Sequence, residues 1–128
     1  MRKDPEVAQA IEPISKIKME LFLDGEYADA IDAWEDELEQ WGNSLGAMRK
    51  AMVLSNRANG ELKLGMVRKA LKTTKEALEC DPTCVRALIV QGKAHEHIGD
   101  LAKARSAYDT GLAVLQSKEG VGMDVSLA

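Results

Sequence analysis

The chain has 128 residues, of which 45% are hydrophobic and 30% charged, with 10 Gly, 3 Pro and a formal net charge of −4. That balance suits one domain with a modest core and excludes disorder, collagen and low-complexity chains. Phe22, Tyr27, Trp34, Trp41 and Tyr108 are the only aromatics, so the core must be built from Ala, Leu, Ile, Val and 6 Met, a composition that favours helices.

No apolar run approaches the roughly 20 residues of a membrane span, so no membrane partner is expected. The opening MRKDPEV has no apolar stretch behind it and does not read as a signal peptide. Cys80 and Cys84 are too few for a disulfide framework, which points to a reducing, cytoplasmic setting. Charge is segregated. Residues 19–48 carry nine acids and no base, whereas residues 49–118 carry thirteen bases and seven acids. Opposite fields on the two halves favour steering and oriented self-contact over nucleic-acid binding, although solvated helix faces explain most such runs.

In chain order, a short helix is expected over Pro5–Ile11. Pro13 then stands near the start of a second helix, where a missing N–H does least harm. Gly25 ends that helix, and an amphipathic helix with Ala30 and Trp34 follows. Ser44 is the expected N-cap of a helix running to about Leu64, closed by Gly65. The next helix stops at Asp81-Pro82, and Thr83 is the expected N-cap of its successor, which Gly99 ends. The last helix reaches about Leu115. Its stripe Ala104, Ala107, Gly111 and Val114 is expected to be covered by residues 121–127 or by another chain. Beyond it, Val121, Met123, Val125 and Leu127 alternate at period two, so residues 119–128 are expected to be an extended or disordered C-terminal tail.

Self-similarity is the strongest signal. The segments LFLDGEYADAIDAWEDEL, LKLGMVRKALKTTKEALECDP and EHIGDLAKARSAYDTGLAVL share a Gly, an Ala five residues on and a larger residue four further: Gly25/Ala30/Trp34, Gly65/Ala70/Thr74 and Gly99/Ala104/Tyr108. Gly65 to Gly99 spans 34 residues, and Gly25 to Gly65 spans six more than that. In this period and helix–turn–helix grammar the chain resembles the tetratricopeptide repeat. Leu88, Gly92, Ala104, Tyr108 and Gly111 match that family's large, small and aromatic positions in the third repeat. Leu54, Ala58, Ala70, Ala77 and Pro82 do so in the second, and Ile14, Ile17, Leu21, Ala30 and Trp34 in the first. Lys18, Glu37, Arg57, Glu61, Thr74, Gln91 and His95 depart from the pattern. The resemblance implies an all-α, α-α superhelix of about three helix–turn–helix repeats over residues 1–118. The repeats fall at about 11–44, 51–84 and 85–118, with an insertion at 45–50 expected to lengthen a helix by nearly two turns.

Searching for chemistry yields little. Cys84 and His95 lie eleven residues apart on one helix, or ~16 Å, too far to share a zinc ion, and His95 and His97 face different sides. No nucleophilic triad, phosphate loop or basic-aromatic nucleic-acid patch is present, and no carboxylate of residues 19–48 stands out as buried. The expectation is therefore no enzyme, no metal, no cofactor and no nucleic-acid partner. Cys80 and Cys84 flank the Asp-Pro turn closely enough to bridge on oxidation, but two ordinary thiols are the simpler reading.

The resemblance further implies a protein-interaction adaptor whose first helices line a concave groove for a partner peptide or helix. The groove positions are then Ser15, Met19, Phe22 and Leu23; Met52, Ser55, Asn56, Asn59, Leu62 and Lys63; and Arg86, Ile89, Val90, Lys93, Glu96 and His97. Of these, Met19, Phe22, Met52, Asn56, Asn59, Arg86, Ile89 and Lys93 are the expected partner contacts, with Phe22 as anchor. The run LSNRANGELKLG looks like the second repeat of heat-shock-chaperone co-factors. Asn56 stands at their carboxylate clamp's asparagine and Arg86 in place of one lysine, but Ser15, Met19 and Val90 replace the other groups. The resemblance therefore implies an adaptor that is not a standard chaperone-tail binder. Two alternatives remain: an assembly module that self-associates as a homo-oligomer or docks through open solenoid ends, and a degenerate co-chaperone that binds acidic tails.

Overall fold

The computed structural model describes Met19, Phe22, Leu23 and residues 25–122. Among these, Met19, Phe22 and Leu23 are helical. Five further helices follow: α1 (Tyr27–Trp41), α2 (Ala47–Lys63), α3 (Val67–Cys80), α4 (Val85–His97) and α5 (Leu101–Gly122), with a 3₁₀ turn at Gly42–Ser44. No strand occurs among the described residues. The expected helix over Pro5–Ile11 and the residues Pro13, Ile14, Ser15, Ile17, Lys18 and Leu21 lie outside them.

Each reversal between paired helices is made by a glycine in the left-handed region, at φ +83° (Gly25), +81° (Gly65) and +82° (Gly99). At Gly65 two of the carbonyls left over at the helix end are taken up by the turn. Gly65 N–H donates to Leu62 O (3.0 Å) and Met66 N–H to Glu61 O (2.8 Å). Gly99 and Asp100 repeat the arrangement with Glu96 O and His95 O at 3.0 and 2.9 Å. The resulting hairpins α2/α3 and α4/α5 stack in series: α1 packs on α2, α3 on α4, and α2 directly on α4. The order is that of an all-α solenoid in which each unit meets its chain neighbours.

Small side chains set the spacing. Ala30, Ala51, Ala58, Ala70, Ala77, Ala87 and Ala94 are wholly buried, in three clusters centred on Trp34/Val53, Leu54/Cys84 and Leu62/Val90. The closest crossing is at Gly92 of α4, where a β-carbon would lie 2.4 Å from the Tyr108 ring of α5. Gly60 of α2 similarly admits Ile31 of α1, whose Cγ1 would stand 2.9 Å from a β-carbon.

Several expectations change. Ser44 does not cap α2. It closes the 3₁₀ turn, and Leu45, buried against Trp41, pins that turn with N–H bonds to Trp41 O and Gly42 O. Gly46 is the N-cap, and α2 at 17 residues exceeds α4 at 13 by about one helical turn, so the surplus is shared between a turn and a helix. Thr83 does not cap α4 either. Its N–H and hydroxyl both donate to Asp81 Oδ1 (3.0 and 2.7 Å), and Cys84 is the N-cap.

The stripe on α5 is already covered, but by α4. Ala104, Ala107 and Gly111 are buried, and Gly111 faces Leu88 and Val85. The tail expectation fails at its start, because α5 continues through Gly122. Gly120 and Gly122 weaken a helix by about 1 kcal/mol each against Ala, but without a proline nothing forces it to stop. Residues 123–128, including Met123, Val125 and Leu127, lie outside the described residues.

Carboxylates occupy the interior where the repeat pattern anticipates other residues. Glu37 of α1 is buried and takes a forked contact from Arg49 of α2, with Nη2 at 2.9 Å and Nε at 3.3 Å from Oε2. Glu61 of α2 is 0% exposed. Thr73 of α3 donates to its Oε1 at 2.8 Å, and Arg57 Nε stands 3.6 Å from its Oε2. Arg57 Nη2 also donates to Thr73 Oγ1 (3.3 Å) and lies 3.6 Å from Glu76. Burial raises the Glu61 pKa, opposed by the Thr73 hydrogen bond and by the charges of Arg57 and Lys69.

Two outcomes follow from this packing. Gly92→Ala should cost about 1–3 kcal/mol in denaturant unfolding and much less in a Tyr108→Ala background, where the obstructing ring is gone. For Glu61, whose ordinary value is near 4.5, the folded chain holds a proton that the unfolded chain has already released. Stability therefore falls as pH climbs from the ordinary value to the raised one and is level above it. The stability of Glu61→Gln relative to the natural chain should accordingly rise across that window and hold above it. Urea unfolding at about pH 4, 6 and 8 checks this, and a pH-independent difference would refute it.

Candidate functional site

Because α2 packs on α4, these first helices of successive pairs form one wall, and the polar residues spaced at three and four along them share it. Asn56 and Asn59 of α2 stand opposite Arg86 and Lys93 of α4. Arg86 Nη1 donates to Asn56 Oδ1 at 2.8 Å. A small cavity of about 30 Å³ is lined by Met19, Phe22, Trp34, Asn56, Asn59 and Arg86. Beside it opens a larger one of about 510 Å³, lined by Asn59, Leu62, Lys63, Lys93, Glu96 and His97. Asn59 belongs to both, and its buried Oδ1 has no hydrogen-bond partner among the described residues. An unsatisfied buried carbonyl costs ~1–3 kcal/mol, which a donor from a bound segment would recover.

The larger cavity carries Lys63 and Lys93 with a single carboxylate, Glu96, which is itself engaged. It accepts the Tyr108 hydroxyl, and burial together with that carboxylate pushes the Tyr108 pKa up to about 12. Cation density therefore exceeds anion density at the mouth of the groove.

Of the expected contacts, Met19, Phe22, Asn56, Asn59 and Arg86 meet around the small cavity, and Asn59 and Lys93 line the larger. Met52 and Ile89 are exposed and line neither of these two cavities. Phe22 has a second role: its ring packs edge-on to Tyr27 (5.0 Å) and tilted on Trp34 (5.8 Å), against the Ala30/Trp34/Val53 cluster. Ser55 and Val90, groove positions by resemblance, are instead core. Ser55 donates to Ala51 O (2.7 Å) and lies 3.4 Å from Cys84 Sγ, and Val90 is 3% exposed. Trp34 as a cavity wall was not anticipated; its place beside Phe22 depends on how α1 folds back on the preceding segment.

Cys80 and Cys84 are free thiols, Cys84 buried. Among the described residues, no three His, Cys, Asp or Glu side chains are gathered as a metal ion would need, and no helix is long and apolar enough to cross a membrane.

No protein-family model matches the chain. Among curated proteins, Tetratricopeptide repeat protein 12 of Mus musculus is 36% identical over 90 residues, 70% of this chain and 12% of its own length. Sperm-associated antigen 1 of Mus musculus is 33% identical over 85 residues, 66% of this chain and 9% of its own length. The chain thus spans about a tenth of the length of the curated relatives it matches. Among solved structures, the second TPR of Spaghetti (RPAP3), bound to the HSP90 peptide SRMEEVD, is similar with a TM-score of 0.70 and 25% identity, over 86% of this chain and 95% of that one.

The double role of Phe22 has a measurable consequence. Phe22→Ala should lower unfolding stability by about 2 kcal/mol, less than for a fully buried ring, and shift the Trp34 fluorescence. An unchanged melting temperature would show that the ring serves only the cavity.

Proposed function

Since this chain belongs to the tetratricopeptide-repeat family, we propose that it is a protein-interaction adaptor that takes a peptide or helix of a partner protein into the groove lined by α2 and α4. The observation that carries this reading is Asn59: a buried acceptor without a partner among the described residues, shared by two adjoining cavities, beside Lys63 on its own helix and opposite Lys93 of α4. A main-chain N–H of the incoming segment fits the Asn59 carbonyl, and the two lysines favour acidic side chains beside it. Met52 and Ile89, exposed along the same helices, offer adaptable apolar contact.

A degenerate chaperone-tail binder is the second reading, favoured by the similar domain bound to an HSP90 peptide. Against it, the two clamp groups that survive here, Asn56 and Arg86, already hydrogen-bond to each other, and Val90 is buried where a basic residue would be needed. Titrating labelled SRMEEVD with a free and with an amidated C-terminus separates the two readings. Weak binding, indifferent to amidation and to Asn56→Ala, is expected. Low-micromolar binding lost with either change would instead establish the carboxylate clamp. For the groove itself, Lys63→Glu with Lys93→Glu, both at exposed positions, should abolish capture of partners that the intact domain retains, with the melting temperature unchanged. Partners that still bind this variant would move the site elsewhere.

A further inference from the structure

Counted from the turn glycines Gly25, Gly65 and Gly99, each second helix carries a stripe whose steps alternate between four and three residues. Such steps keep side chains on one side of a helix, as in the seam of a coiled coil. In α1 the stripe includes Ile31, Trp34 and Leu38, and α2 covers it. Ile31 fills the space at Gly60, Trp34 packs with Val53, and Leu38 packs on the cluster of Ala51 and Leu54. In α3 it is Val67, Leu71, Thr74 and Leu78, and α4 covers it. Val67 and Leu71 pack on the cluster that holds Val90 and Ala94, Leu78 on that of Cys84 and Ala87, and Thr74 is buried. In α5 the same positions are Leu101, Arg105, Tyr108 and Leu112, and no following helix covers them among the described residues. Leu101 is 67% exposed and Leu112 52%, Arg105 is exposed, and Tyr108 is half-buried against Gly92. Helix α5 therefore has two stripes, Ala104, Ala107 and Gly111 seated on α4, and this second one left open.

We infer that this open stripe is a self-association seam, occupied by α5 of a second copy lying antiparallel about a two-fold axis. The stripe's own sequence selects that occupant. One antiparallel register lays Leu101 on Leu112 and Arg105 on Tyr108, and the two-fold axis forms each contact twice. Arg105 is the one charged member of the stripe. In this register its guanidinium stands over the Tyr108 ring of the other copy, beside the Glu96 carboxylate that accepts the Tyr108 hydroxyl. Cation thus meets ring face and anion, and leucine meets leucine. A shift by one heptad would set Arg105 on Leu115 instead and bury its charge without a partner. Within one chain Arg105 lies 3.7 Å from Asp109, but both side chains are exposed, and a pair of that kind exchanges at little cost. So short a seam buries little area, and the dimer is accordingly weak and reversible. Helix α5 lines neither cavity of the groove, so the inference does not rest on the function proposed above.

Sedimentation velocity over a range of protein concentrations tests the assignment. The natural chain should pass reversibly from monomer to dimer as concentration rises. Leu101→Glu and Leu112→Glu, both at exposed positions, should keep the melting transition and weaken the dimer at least about tenfold. Arg105→Glu should weaken it similarly, by setting acid on the Glu96 of the other copy. Arg105→Glu combined with Glu96→Arg should restore dimerisation, because acid again faces base. If a leucine variant loses its melting transition, Arg105→Glu and its rescue read the seam by themselves. A natural chain that stays monomeric throughout would overturn the inference, including the case in which removing residues 123–128 releases a dimer and shows the tail to be the cover. So would a dimer that the folded leucine variants leave intact, or a double variant no better than Arg105→Glu alone.

Discussion

The left-handed residue at Gly65 is the constraint on which the rest of this structure depends. At φ +81° a β-carbon is strained however much room surrounds it, and only there can α2 turn back so tightly that α3 begins two residues later. That reversal delivers Thr73 to Glu61, and it leaves α2 free to meet α4 along its other side. Gly25 and Gly99 repeat the device, so one backbone solution used three times generates the order of the helices. The close crossing at Gly92 then decides how near α5 comes, because the Tyr108 ring occupies the space of a missing side chain.

The hairpin interiors are less apolar than the spacing of their alanines suggests. Glu61 is wholly buried beside Thr73 and Arg57, and Glu37 is held by Arg49. Burying such groups is weak grounds for added stability, since desolvation offsets much of the attraction. Their geometry is selective instead. Arg57 meets Glu61 within α2, but it reaches Thr73 and Glu76 only when α2 and α3 pack in this register, and a slip of one turn would part Glu61 from Thr73.

The basic half of the chain supplies the cations of the proposed groove. There, Arg86 is committed to Asn56, and on the function proposed above Lys63 and Lys93 would meet an acidic segment beside the unsatisfied Asn59 carbonyl.

The helical class and the three glycine reversals were legible in the sequence, because each depends on local spacing. A 34-residue period, a glycine at each hairpin and small residues at fixed offsets act within a few turns of chain. The burial of Glu61 was not legible: a carboxylate one turn before a glycine reads as solvated until α3 closes over it. The same holds for the α5 stripe, which reads as bare along the helix and proves to be the face that α4 covers. Ser55 and Val90 fell into the core, and Phe22 became shared between core and cavity, because the angle at which neighbouring hairpins stack decides which side of a helix remains open. Spacing along one helix determines which residues share a face, but only the neighbours brought there by the tertiary fold determine whether that face meets solvent, a partner or another helix.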